Sequence, residues 1–258
     1  MNNACTISRY YGHTDNDLEQ LDRFIEQAKT YSHRILIGVH IEKDLTNCIE
    51  KYASQSSNIP VDFIPIKPWI GISTPLNILL NHLSSTETSV IIQSVEIQCT
   101  SEQIHCLQSY LHEENVLCVG AVLDGHQMFD QPASRTHLPL QGDTSPWNTL
   151  IIWNLEKLRR TGFPLCCDFV NPPGMEDSAV IALQQKLFGG MTRNRALLVQ
   201  LNTVIHWHNQ FSNDSERSVR HQIKMQSKNL RTRQLLQMLS ITSDDQIGIE
   251  YVNEKCSE

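Results

Sequence analysis

Short apolar runs alternate along the first half of the chain with segments whose apolar residues recur at helical spacing. The apolar runs are typical of strands that are buried on both faces of a sheet. We predict strands over residues 4–11, 34–41, 61–66, 89–97 and 115–123, separated by helices over 18–31, 45–54, 74–83 and 101–112. This alternation predicts an α/β fold, a single domain in which a mostly parallel central sheet is flanked by helices.

The predicted strand over residues 89–97, with the sequence SVIIQSVEI, has a carboxylate near its end, at Glu96. Ligands of open α/β sheets bind at the carboxyl ends of the strands, so Glu96 is placed where a cofactor, metal ion or substrate would be met. The alternative is that Glu96 is only the solvated end of a core strand.

The second half of the chain begins with a loop-rich region, residues 124–145. A loop of this length is a lid, a binding loop or a disordered segment. A segment around Trp147 follows, with a short strand and a helical turn, and Glu176 and Asp177 then open a further helix. Because the helix dipole favours carboxylates in a first turn, that position alone is enough to explain the pair.

Basic residues are concentrated between Arg217 and Arg233, in a segment with helical periodicity. Most such runs are a solvated helix face, and the alternatives are a segment that closes over a diphosphate or one that binds an acidic partner. The acidic residues that follow predict a frayed tail. We therefore divide the chain into a main domain, residues 1–210, and a C-terminal basic helical segment with its tail, residues 211–258.

Composition limits the class of protein. The chain has 258 residues, 40% hydrophobic and 19% charged, with a formal net charge of -7, which argues against a general nucleic-acid binder. It has no apolar run long enough to span a membrane and no signal-type segment, so a soluble cytoplasmic protein is expected. The eight cysteines include no CxxC pair and are expected to be reduced, buried side chains. No pattern indicates the oligomeric state.

Several common phosphate-binding and catalytic motifs are missing from the sequence. No GxGxxG follows the first predicted strand, and no GxxxxGK[ST] or GxSxG occurs anywhere. The sequence therefore supports neither a Rossmann dinucleotide site nor a P-loop, and it weighs against an α/β-hydrolase.

The order of the parts resembles that of GT-A-type glycosyltransferases, most of all the inverting enzymes of family 2, over about residues 4–210. In that family an Asp-x-Asp motif ends a central strand, and an aromatic acceptor segment precedes a Glu-Asp pair that opens a helix. Here Ser94-Val95-Glu96 stands where Asp-x-Asp would, residues 147–163 resemble the acceptor segment, and Glu176-Asp177 resembles the pair. The resemblance implies a Rossmann-related fold with a nucleotide-sugar half, about residues 1–123, and an acceptor half, residues 124–210.

The resemblance also implies a reaction, the transfer of a sugar from a nucleotide-diphosphate donor to an acceptor hydroxyl with inversion. Asp177 would be the base that removes the hydroxyl proton, with Glu176 as its competitor. Trp147 and Asn148 would contact the acceptor.

The donor and a metal ion would lie at the carboxyl ends of the first strands. By analogy with the family, the residues that would bind the donor are Ser8, Arg9, Glu42, Ser94 and Glu96. A divalent ion, Mn²⁺ or Mg²⁺, would be held by Glu96 and by His206 or His208, which share a face if they lie on a strand. Because Ser94 replaces the first Asp of the motif, the sequence supplies one carboxylate where the family has two.

Two other functions remain open at this point. A GT-A fold with a degenerate motif could serve as a catalytically inactive binding or scaffolding protein. A nucleotidyltransferase of the same architecture is disfavoured, because the first strand leads into Ser8-Arg9-Tyr10-Tyr11-Gly12 and not into a glycine- and basic-rich loop. Convergence of Glu96, Asp177 and one of the two histidines on one cleft would favour catalysis.

Overall fold

The computed structural model describes residues 4–11, 15–40, 50, 52, 58–127, 134–207 and 215–254. The strands are Ala4–Tyr10 (β1), Arg34–His40 (β2), Val61–Ile66 (β3), Ser89–Gln93 (β4), Ile97–Gln98 (β5), Val116–Ala121 (β6), Arg135–Pro139 (β7), Leu150–Asn154 (β8), Arg195–Gln200 (β9), His206–Trp207 (β10) and Gly248–Asn253 (β11). The α-helices are Asp15–Ala28 (α1), Ser73–Asn81 (α2), Ser101–Leu111 (α3), Leu155–Leu158 (α4), Glu176–Leu187 (α5), Gly190–Arg193 (α6), Ser215–Gln226 (α7) and Lys228–Met238 (α8).

Nine of these strands form one sheet in the order β3-β2-β1-β4-β8-β6-β9-β11-β7. The pairs β1–β2, β1–β4, β2–β3, β6–β9 and β9–β11 are parallel. The pairs β4–β8, β6–β8 and β7–β11 are antiparallel. The predicted α/β fold with a mostly parallel sheet is confirmed, and β5 and β10 form a separate antiparallel ribbon.

Strand β4 lies in the interior of the sheet, and all five of its residues are buried. Ile91 packs in a hydrophobic cluster with α1 and α3, whereas Val90 and Ile92 pack in a second cluster with α2, α4 and α5. Because alternate side chains of a strand point to opposite faces, helices cover the sheet on both sides. Burial of each such side chain contributes about 1.5–3 kcal/mol, and this anchored strand delivers residues 94–96 to the carboxyl edge of the sheet.

Two segments that the sequence indicates as irregular contribute strands to the sheet. Arg135–Pro139 lies at its edge, and Gly248–Asn253, where we predict a frayed tail, lies between β9 and β7. The buried Glu250 explains why Gly248–Asn253 is part of the sheet, since it pairs with Arg135 at 2.6 Å and with Arg195 at 2.9 Å. These ion pairs join residues that are more than 50 positions apart, so no local pattern predicts them.

The described cysteines are free thiols, and four of them are buried: Cys5, Cys99, Cys118 and Cys167. None of the helices in the described part of the chain is both long and apolar enough to cross a membrane. Most of the predicted helix over 45–54 lies outside the described residues.

Candidate active site

A cavity of about 630 Å³ opens at the carboxyl edge of the sheet. Residues at the ends of β1 and β4 form one side of it, the start of α5 forms another, and α7 and α8 close it. Seven of the residues that the sequence predicts for the site line this cavity: Arg9, Ser94, Glu96, Trp147, Asn148, Glu176 and Asp177. The structure therefore brings together residues from four distant segments of the chain.

The direction of Glu176 and Asp177 is fixed by the loop that precedes α5. Gly174 and Met175 have positive φ angles of 145° and 66°. A Cβ atom on Gly174 would lie 2.6 Å from Nη1 of Arg231, so only glycine fits there without displacement of the guanidinium. This tight approach turns the chain so that both carboxylates line the cavity while they remain only 4% and 5% exposed.

Asn148 links the two carboxylates. Its Nδ2 donates to Oε1 of Glu176 at 3.0 Å, and its main-chain N–H donates to Oδ2 of Asp177 at 3.2 Å. Its Oδ1 accepts a hydrogen bond from Nε1 of Trp153 at 3.0 Å. Asn148 thus positions the acidic pair, while its contact with an acceptor stays a prediction.

The environment of Asp177 alters its acidity. Burial and the negative charge of Glu176 raise the pKa of Asp177 above the ordinary value, and the positive charge of Lys228 opposes this. Main-chain N–H groups of Ser178 and Asn148 donate to the carboxylate at 2.6 and 3.2 Å and favour its ionised form. A carboxylate whose pKa is shifted toward neutrality is well matched to proton transfer near pH 7.

Glu96 follows β4 through a tight turn, in which the N–H of Ile97 donates to the carbonyl of Ser94 at 3.0 Å. The N–H of Ser94 donates to the carbonyl of Thr149 at 2.9 Å. Oε2 of Glu96 accepts a hydrogen bond from Nε1 of Trp207 at 3.3 Å. The segment that replaces Asp-x-Asp therefore lines the cavity with a single, hydrogen-bonded carboxylate.

Ser8 and Glu42 are the predicted donor-binding residues that the structure does not place in the cavity. Ser8 is 1% exposed, and its hydroxyl donates to the carbonyl of Gln93 at 2.6 Å inside the sheet. Because its one donor is used by the main chain of β4, Ser8 serves the sheet. Glu42 lies outside the described residues.

His206 is separated from the predicted metal site. It lines a second cavity of about 610 Å³, whereas its neighbour Trp207 lines the cavity of Glu96. The cause is the strand pairing of β10 with β5, since successive side chains of a strand point to opposite faces. His208, the alternative ligand, lies outside the described residues.

Trp147 is enclosed by protein groups, although the sequence predicts that it contacts the acceptor. It is 2% exposed, and its Nε1 donates to the carbonyl of Gly142 at 2.7 Å. His126 stacks on the indole with a centroid separation of 3.6 Å, and Nζ of Lys228 lies 2.7 Å from the ring centroid. Burial, and to a lesser extent the charge of Lys228, lowers the pKa of His126 to about 3, so the stacked imidazole is neutral.

Among the described side chains of the C-terminal basic segment, three cations line the cavity, although the sequence favours a solvated helix face: Lys224, Lys228 and Arg231. Their spacing of four and then three residues places them on one face of a nearly continuous helix. This spacing is a sequence signal that the three side chains share a face, but it does not indicate that the face is turned toward the cavity. Arg233, outside this set, is exposed on α8.

The described residues around Glu96 do not fit the predicted divalent ion. Such ions favour several hard oxygen ligands, but Ser94 offers no charge, and Glu96 accepts a hydrogen bond from Trp207. Across the described part of the chain, no group of three or more His, Cys, Asp or Glu side chains could hold a metal ion. The cation of Lys224 interacts electrostatically with Glu96, which further disfavours a second cation there.

An aromatic cluster lies at the same edge of the sheet as Arg9. Tyr11 follows β1, His40 ends β2, and Trp69 follows β3. The ring centroids of Tyr11 lie 5.0 Å from His40 and 5.4 Å from Trp69. Aromatic faces of this kind offer a stacking surface for a planar ligand group.

Comparison with solved structures identifies the fold. A mannosyltransferase from Pyrobaculum calidifontis, solved with GDP-Man and Mn²⁺, matches with a TM-score of 0.62 and 18% identity over 89% of this chain and 64% of its own. TarS residues 1–349 from S. aureus, solved with UDP-GlcNAc, matches with a TM-score of 0.55 and 12% identity, over 95% and 78% of the two chains. Glucosyl-3-phosphoglycerate synthase from Mycobacterium tuberculosis matches with a TM-score of 0.58 and 15% identity, over 94% and 81%.

The protein therefore has a GT-A-like, Rossmann-related fold, as predicted, and these structural neighbours are glycosyltransferases. The chain spans less than two thirds of the mannosyltransferase. No family model matches the sequence, and no curated protein matches it significantly. At these identities the likeness defines the fold, so the activity has to be argued from the site.

Proposed function

We propose that the protein is a glycosyltransferase that moves a sugar from a nucleotide-diphosphate donor to an acceptor hydroxyl with inversion at the anomeric carbon. One observation carries the proposal: a single cavity of a GT-A-like fold combines a buried carboxylate pair with a set of cationic side chains. Proton removal needs the first, and a departing diphosphate needs the second.

In the proposed reaction Asp177 accepts the proton of the acceptor hydroxyl. The hydroxyl oxygen forms a bond to the anomeric carbon, while the bond from that carbon to the diphosphate oxygen breaks and its electron pair leaves with the diphosphate. A single displacement of this kind inverts the configuration. Glu176 is the competing base, since it is equally buried and begins the same helix.

The nucleobase is proposed to lie against Tyr11, His40 and Trp69, with the diphosphate toward Arg9. Parallel strands β1, β2 and β3 present their carboxyl ends at one edge of the sheet, which supports this placement. The acceptor then approaches from the side of α5, at whose start Glu176 and Asp177 lie.

A thermal-shift screen against UDP, GDP, CMP and their common sugar conjugates, each with Mn²⁺ and with EDTA, tests the proposal. A ligand that binds only the native state raises the melting temperature with its concentration relative to Kd. We expect one nucleotide diphosphate and its sugar conjugate to raise the melting temperature. Turnover of that sugar conjugate should then slowly release the nucleotide diphosphate. Inversion is then read from the anomeric configuration of the product by NMR.

No shift with any of these ligands would contradict the transferase proposal. That result would favour the second candidate, a catalytically degenerate binding or scaffolding protein, for which the replacement of the first motif carboxylate by Ser94 is the supporting observation.

A further inference from the structure

Four cationic side chains line the cavity, and they come from three separate elements. Arg9 lies near the end of β1, Lys224 lies on α7, and Lys228 and Arg231 lie on α8. Three carboxylates line the same cavity: Glu96, Glu176 and Asp177. The cavity thus concentrates basic side chains in a chain with a net charge of -7. A cluster of this kind favours an anionic ligand.

Arg231 is committed to the protein itself. It is 3% exposed, and its guanidinium donates to the carbonyls of Pro172 at 3.2 Å and Lys224 at 2.7 Å. Its Nε donates to the hydroxyl of Ser227 at 3.1 Å. These bonds hold α7 and α8 against the loop that precedes α5, so Arg231 positions the other cations.

Arg9, Lys224 and Lys228 form no salt bridge with a carboxylate of the described residues. Desolvation and the nearby charge of Arg9 lower the pKa of Lys224. Desolvation also lowers the pKa of Lys228. The negative charge of Asp177 opposes this effect, and the positive charge of Arg231 adds to it. An anion bound among these groups would favour the charged form of both lysines.

Resting on the proposed function, we infer that Arg9, Lys224 and Lys228 hold the diphosphate of the donor in place of a divalent cation, so that nucleotide binding and transfer do not require Mn²⁺ or Mg²⁺.

The chemistry of the three side chains suits this role. Guanidinium and ammonium groups make charge-assisted hydrogen bonds to phosphate oxygens, which are stronger than bonds between neutral partners. A metal ion would otherwise neutralise the charge that develops on the leaving diphosphate, and fixed cations in a cavity supply the same stabilisation. The position of Lys224 supports the replacement of a metal ion by cationic side chains, because Lys224 interacts electrostatically with Glu96, the one carboxylate that remains of the motif.

Titration calorimetry of the full chain with UDP and GDP, in EDTA and in Mn²⁺, tests the inference. We expect the same Kd in both conditions for the nucleotide that binds. Lys224→Gln and Lys228→Gln should each weaken that binding about 10- to 100-fold, the equivalent of one charge-assisted hydrogen bond. Lys224→Arg keeps the charge and should restore most of the affinity.

Arg233→Gln, on α8 but outside the cavity, is the matched control and should bind as the unsubstituted protein does. Circular dichroism and the melting temperature of each variant show that it is folded. Binding in Mn²⁺ that is lost in EDTA would overturn the inference and leave the proposed function standing. Metal-independent binding that neither lysine variant weakens would overturn the assignment of the residues. Absence of binding to UDP and GDP in both conditions would contradict the inference and the proposed function together.

Discussion

Two walls of the cavity are built in different ways. The carboxylate wall, Glu176 and Asp177, is almost fully buried and is held by hydrogen bonds from Asn148. The cation wall, consisting of Arg9, Lys224 and Lys228, has long side chains that form no side-chain hydrogen bond with the described residues.

The difference follows from what each wall is proposed to do. Proton transfer requires the base to lie within hydrogen-bond reach of the acceptor hydroxyl, so the carboxylates are fixed by the loop before α5. The electrostatic attraction of a diphosphate falls only with the inverse of distance, so cations on flexible side chains are sufficient. The comparison teaches how the proposed reaction divides its tasks: fixed geometry for the reacting atoms and charge on long side chains for the leaving group.

The largest expected effect is on the carboxylate wall. Asp177→Asn removes the proposed base and should lower kcat about 100- to 10,000-fold, the usual contribution of a general base. The melting temperature should be retained, because the amide keeps the shape of the side chain. Release of the nucleotide diphosphate under saturating donor and acceptor measures this.

Asp244→Asn, an exposed position outside the cavity, is the control for the chemical change itself. Near-normal turnover of Asp177→Asn, combined with a large loss in Glu176→Gln, would transfer the role of base to Glu176.

Arg231, which holds the helices of the cation wall in place, should affect the stability of the protein. Arg231→Gln removes donors to the carbonyls of Pro172 and Lys224 and should lower the free energy of unfolding by about 2–4 kcal/mol. Urea unfolding with an unchanged m-value measures the loss. Arg233→Gln on the same helix should stay within about 0.5 kcal/mol of the unsubstituted protein, and equal losses in the two variants would contradict the structural role of Arg231.

A smaller effect is expected at Trp147, where a substitution distinguishes a structural role of the buried side chain from a contact with the acceptor. Trp147→Phe loses the hydrogen bond to Gly142 and part of the contact with His126, at an expected cost of about 1–2 kcal/mol in stability. The KM for the acceptor should not change. A raised acceptor KM at unchanged stability would restore the acceptor contact that the sequence predicts.

The smallest expected effect is a displacement of the acid limb of the pH profile. Asp177 accepts a proton only when ionised, so kcat/KM should rise with pH through its raised pKa on the acid limb. Glu176→Gln removes a negative charge that raises this pKa, and the limb should therefore move to lower pH. A limb that stays in place or moves to higher pH would show that Asp177 is not the titrating base.

Much of the fold was predictable because local patterns encode it. The buried run of β4 and the carboxylates at the first turn of α5 both follow from a few adjacent residues. The same reasoning could not predict that Gly248–Asn253 enters the sheet, because the pairing of Glu250 with Arg135 and Arg195 joins distant segments.

The site was predictable only where its residues lie next to strand ends or helix starts. Glu96, Glu176 and Asp177 meet that condition and line one cavity. Enclosure of Trp147 and the turn of Lys228 toward the cavity depend on how α7 and α8 pack, which hydrophobic periodicity does not specify.

The most direct test of the account is a crystal structure of the full chain with the nucleotide diphosphate that binds it, grown in EDTA. We predict that the diphosphate oxygens lie within hydrogen-bond distance of Arg9, Lys224 and Lys228, with the space in front of Asp177 left for a sugar and an acceptor. A nucleotide bound in the second cavity, or a diphosphate turned away from these cations, would contradict the central claim that one cavity with two walls carries the transfer.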